Sequence, residues 1–154
     1  GNLHSSYDRI FTDKELFAAL GLCNSIPFDF LMRTKDAQNL LAFRFEESQM
    51  PRLTAGDEWF EYISKRAARL NCYGDEFEGM RERLGGIEPA TDNQERREIQ
   101  SEIDAAAFHA YGLDQSEVEF VLNDFHQVEN PRMMDDDYFD LVNSKYTELT
   151  EEHS

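Results

Sequence analysis

The run from Asn93 to Phe125, NQERREIQSEIDAAAFHAYGLDQSEVEFVLNDF, decides the fold. Ile99, Ile103, Ala106, Ala107 and Ala110 recur at three- and four-residue spacing, which in a helix places them on one buried stripe. The spacing predicts a long helix from about Asn93 to Ala110. Gly112 stands where a helix closes on a residue of positive φ, and Leu113 follows to pack back as in a Schellman motif. Asp114 and Glu117 then form a capping box for a second helix, with Val118, Val121, Leu122 and Phe125 facing the core.

The same signals recur on either side. Thr12 and Glu15 make a capping box, so a helix starts near Asp13 with Leu16, Phe17, Leu20 and Cys23 as its apolar stripe. Asn24-Ser25 interrupts it, and Pro27 suits the first turn of a helix reaching about Thr34, with Phe28, Leu31 and Met32 apolar and Asp29 one turn from Arg33. Asn39 to Phe45 alternates as a short strand, whose expected partner is Leu53, the Asp8–Thr12 segment or a strand of an upstream domain. Trp59, Phe60, Ile63, Ala67 and Leu70 mark a helix from about Asp57 to Asn71. Phe77, Met80, Arg81 and Leu84 suggest another that stops at Gly85-Gly86. A last helix runs from about Asp136 to Leu149, before a frayed tail. The fold class is therefore mainly α: a helical domain of about six helices with a small β element near residues 39–46. Residues 1–55 form a helix-helix-strand segment, 56–150 a helical domain and 151–154 a tail, together one compact unit cut from a larger protein.

Composition bounds the function. A chain of 154 residues with 40% hydrophobic and 12% aromatic side chains can bury a real core. No apolar run approaches the roughly 20 residues that span a bilayer, so a cytoplasmic protein without a membrane partner is expected. Cys23 and Cys72 make neither a disulfide framework nor a zinc site, and each sits among apolar neighbours as a core-packing residue.

Net charge is −17, with four lysines against eleven arginines. Such acidity with little lysine suits a salt-loaded cytoplasm, where carboxylate repulsion is screened over a few Å, and points to a halophilic source. The charge is uneven: residues 1–55 hold six basic and seven acidic side chains, whereas residues 56–154 hold nine and twenty-five. Phosphate contact needs cations not outvoted by carboxylates, so the first third is the better candidate for nucleic acid.

Three separated motifs carry a resemblance. They are Asn24-Ser25 with Phe28-Asp29-Phe30, Arg33 and Lys35; Leu40–Phe45 followed by Gln49-Met50-Pro51; and Tyr111-Gly112-Leu113 with Glu117. In this order they resemble the C-terminal region of type IIG-like restriction–modification enzymes that carry an adenine-specific DNA methyltransferase, over roughly Leu16 to Phe125. The resemblance implies a parent that uses S-adenosylmethionine to methylate adenine N6, a DNA methyltransferase or endonuclease. The present chain would be its target-recognition-associated helical region, with the upstream methyltransferase domain and, through the parent, DNA as partners. Arg33, Lys35, Asn39 and Arg44 are the only basic and amide cluster in the family-like segment. They are the candidates for DNA-backbone or base contact, set against a plain solvated face.

Catalytic and cofactor residues are not expected in the chain itself. Its four prolines, Pro27, Pro51, Pro89 and Pro131, are never adjacent, so the Pro-Pro-aromatic loop that holds a flipped base is missing. No glycine-rich strand-to-helix turn is present to seat S-adenosylmethionine. Asp135-Asp136-Asp137 with Asp140 lacks the tight glycine of a calcium loop and reads as a helix cap, and His109 and His126 lack ligands at metal spacing. Ala105–Phe125 has helix-turn-helix form, but its second helix carries Glu117, Glu119 and Asp124 and no cation, which suits structure rather than a groove. Two rival functions stay open: a stand-alone acidic interaction module, such as a DNA mimic or inhibitor, and the tail of a phage-defence methyltransferase of the BREX type.

Overall fold

The computed structural model of the chain describes residues 13–33, 58–72, 74–125 and 135–153, with residues 30–33, 75, 124 and 125 described in backbone only. Seven α-helices and one short 3₁₀ turn account for most of them, and no strand occurs among the described residues. In chain order they are α1 (Asp13–Cys23), α2 (Ile26–Arg33), α3 (Glu58–Asn71), the 3₁₀ turn (Asp75–Phe77), α4 (Glu78–Arg83), α5 (Asn93–Ala110), α6 (Gln115–Phe125) and α7 (Asp136–Glu152). The β element expected near residues 39–46 lies outside the described residues.

Helix α5 is the axis of the molecule, with α3 packed along one side and α7 along another. Helices α1 and α2 also touch it, so its second half is enclosed. Ile99, Ile103, Ala106 and Ala107 are buried as the spacing predicts, but so are Ser101, Asp104, Ala105 and Phe108. A helix with neighbours on several sides loses the polar face that a surface helix keeps. Phe60 and Phe108 are among the largest fully buried side chains, each worth about 2 to 3 kcal/mol of burial.

Helix α1, from the helix-helix-strand segment of residues 1–55, packs along α3 and shares one core with the helical segment. Its buried face is Phe17, Ala18, Gly21 and Leu22, whereas Leu16 is 51% exposed and Cys23 is also exposed. The expected stripe is therefore rotated, and only Cys72 fills the core role predicted for both cysteines. The cause is close approach: a Cβ on Gly21 would lie 2.5 Å from Ile63 Cγ2 and 3.4 Å from Ala67 Cβ. The two helices meet through small residues, and the larger Leu16 is turned outward.

Local closures follow the sequence closely. Gly112 has φ +75°, its N–H donates to the carbonyl of His109 at 2.9 Å, and Leu113 N–H donates to that of Phe108 at 3.0 Å. That is the Schellman pair, with Leu113 buried. The capping box of α6 is reciprocal: Glu117 N–H donates to Asp114 Oδ1 and Asp114 N–H to Glu117 Oε1, both at 2.9 Å. Asp135 caps α7 by accepting from Tyr138 N–H at 2.8 Å. Helix α7 continues beyond the expected Leu149 to Glu152, with the His153 N–H donating to the Leu149 carbonyl.

Candidate functional site

Helix α2 begins at the turn that carries Asn24 and Ser25. Ser25 is fully buried and donates its hydroxyl to the Leu22 carbonyl at 2.6 Å, closing the end of α1. Ile26, also fully buried, donates its backbone N–H to Asp104 Oδ1 of α5 at 2.8 Å. A first-turn N–H has no partner within its own helix, so the carboxylate satisfies it and complements the positive end of the helix dipole. Asp104 is itself completely buried. Its second oxygen accepts the hydroxyl of Tyr138 on α7, and Gln100 Nε2 approaches the first at 3.4 Å. One side chain thus joins three helices, α2, α5 and α7.

Tyr138 is held in turn at its other end. Its N–H caps onto Asp135, which also pairs with Arg97 Nη2 at 2.7 Å, and the Arg97 guanidinium lies 5.1 Å from the Tyr138 ring centroid. The hydrogen bond from Arg97, then that from Tyr138 N–H, holds the Asp135 carboxyl below the usual aspartate range. The result is a chain of contacts from the surface of α5 inward to the first turn of α2.

A second cluster clips α7 to α3 and α5. The His109 ring lies between Trp59 and Tyr146, with centroids at 4.9 Å and 4.1 Å and interplanar angles of 12° and 9°. Its Nε2 sits 3.1 Å from the Tyr146 carbonyl and 3.3 Å from Thr150 Oγ1. Burial lowers the His109 pKa, against the opposing pull of the Tyr146 carbonyl. The Tyr146 hydroxyl donates to the Leu113 carbonyl at 2.7 Å. Beyond the end of α7, His153 meets Trp59 edge-on at 4.7 Å and places Nδ1 2.9 Å from Glu58 Oε2. These contacts explain why the helix does not fray at Leu149.

Of the residues proposed for DNA contact, Arg33 is the last of α2, and its side chain is outside the described set. Lys35, Asn39 and Arg44 also lie outside the described residues. The structure therefore places the start of their segment, at Asn24 to Ile26, and not the four side chains together. Among the described residues no group of three or more His, Cys, Asp or Glu is arranged to hold a metal ion, and no helix is long and apolar enough to cross a membrane. In the Ala105–Phe125 helix pair, Val118, Val121 and Leu122 are buried and Glu119 is exposed.

Asp104 was not visible as a site residue from spacing alone. Its signal was a carboxylate set in the apolar run from Ile103 to Phe108, where an unpartnered charge could not be buried. No protein-family model, no curated protein and no solved structure matches this chain.

Proposed function

We propose that this chain is a non-catalytic, helical part of a restriction–modification or adenine-N6 DNA methyltransferase protein, and that it supports DNA target recognition. The observation that supports this reading most is the Asp104 anchor. It fixes the first turn of α2, the helix that ends at Arg33 and leads on to Lys35, Asn39 and Arg44. A reading segment held by a rigid scaffold loses less conformational entropy when it meets its target than a free one. The helical body would supply that rigidity, with DNA reached through the parent and S-adenosylmethionine bound in the upstream methyltransferase domain.

The test is made in the parent protein. Single changes Arg33→Ala, Lys35→Ala and Arg44→Ala should each flatten the slope of log affinity against log salt by about one unit. Asn39→Ala should leave that slope alone and relax base preference, because an amide contributes direction rather than charge. Asp104→Ala should weaken DNA binding without changing S-adenosylmethionine affinity. Unchanged affinity and slope in all three cation variants would reduce the cluster to a solvated face.

An acidic interaction module is the second reading. It is favoured by the exposed carboxylates of α7, among them Asp136, Asp137, Asp140, Glu148 and Glu151. An upstream reading frame with a fused Asn/Asp-Pro-Pro-aromatic motif supports the first reading, and a start codon just before Asn2 supports the second.

A further inference from the structure

Helices α1 and α3 and the turn after α4 enclose a cleft of about 420 Å³, within the range of small-ligand sites. It lies at the opposite end of α1 from the turn into α2, so nothing about it depends on the DNA reading above. Lys14, Lys65 and Arg69 line it, together with Glu61 and Glu88. In a chain of net charge −17 with four lysines, two lysines and an arginine have been gathered on one concave surface. The local potential is less negative there than over the rest of the molecule, which as a whole repels anions.

The three cations differ in how they are held. Arg69 is fixed, with Nε on the Glu88 carbonyl at 3.1 Å and Nη2 on Glu95. Lys14 pairs with Glu61 at 3.3 Å, both side chains 48% exposed, a weak and exchangeable contact. Lys65 is exposed and makes no ion pair among the described residues. The rim opposite is Gly85-Gly86, at φ +91° and +78°, where a Cβ would meet nothing within 4 Å. These two positions present no side chain to the cleft, which leaves that part of its rim open.

We propose that this cleft binds a phosphate group, taken between Lys14 and Lys65 with Arg69 as the fixed wall. A monocarboxylate would only replace Glu61 in kind. A group with two charges on one centre engages both ammoniums at once, and compact lysine heads suit such non-directional contact.

Calorimetric titration of pyrophosphate into the whole chain tests this, at the lowest KCl concentration that keeps the far-UV helical signal. Saturable binding is expected, weakened about tenfold by Lys65→Gln, as loss of one charge-assisted contact implies. Lys145→Gln on α7 changes the net charge equally and should leave binding as it was. Competition with a short DNA duplex then identifies the source: displacement of pyrophosphate points to a DNA backbone, and its absence to a free phosphate-bearing molecule. No binding to the folded chain, or equal weakening by the two variants, overturns the proposal.

Discussion

The backbone N–H of Ile26 donates to the Asp104 carboxylate at 2.8 Å across 78 residues of chain. That bond ties the first turn of α2 to the central helix, and Tyr138 completes it from α7. Asp104→Ala strands two buried donors, so it should destabilise the fold by about 3 kcal/mol or more. Asp104→Asn should cost only about 1 kcal/mol. Its amide oxygen can keep the Ile26 N–H, and the Tyr138 hydroxyl can reverse to accept from the amide NH₂. Urea unfolding should rank the two variants in that order, and equal losses would mean the carboxylate packs without bonding.

Gly21 lets α1 pack closely against Ile63 and Ala67 of α3. Gly21→Ala should destabilise by about 1 to 3 kcal/mol, because Ile63 Cγ2 already occupies the space. Combining it with Ile63→Ala should cost less than the sum of the single changes, since the truncated side chain relieves the overlap. Additive losses in a double-mutant cycle would show that the helices do not meet at this pair.

Gly112 closes α5 in the left-handed region at φ +75°. Gly112→Ala should cost about 1 kcal/mol, and Gly112→Asn less, because asparagine tolerates that region better. Thermal melts of the two variants check the order.

His109 should make stability depend on pH. Burial lowers its folded pKa, so the unfolded chain binds the proton more readily, near its ordinary value of about 6.5. The stability that the neutral ring contributes is complete above that value and is lost as pH falls below it towards the folded pKa. His109→Phe keeps an aromatic ring between Trp59 and Tyr146 but cannot titrate. Urea midpoints between about pH 7.5 and 5.5 should fall more steeply for the natural chain than for this variant. Parallel slopes would remove His109 as the cause.

Charge predicts a salt requirement. At −17, carboxylate repulsion should expand the chain when screening is withdrawn. Far-UV circular dichroism should lose helical signal as KCl is lowered from about 2 M to about 0.1 M, where the screening length grows to about 10 Å. Full structure at low salt would argue instead for an acidic protein of an ordinary cytosol.

What the chain wrote locally could be read locally. The Gly112 closure, the Asp114–Glu117 box and the Asp135 cap each join groups within five residues, so backbone geometry alone brings the partners together. Hydrophobic spacing likewise determined that the described parts are helical, because period and burial coincide where a helix has one buried face. Three features were decided only by tertiary structure. Leu16, expected in the core, faces solvent while Gly21 is buried, because the face α1 buries depends on how near α3 comes, which no spacing within α1 encodes. Helix α7 runs on to Glu152 because Trp59 and Glu58, far away in sequence, hold His153. Asp104 became an anchor because α2 and α7 bring an N–H and a hydroxyl to it. A buried carboxylate is tolerated only where such partners arrive, and their arrival is a property of the packed fold.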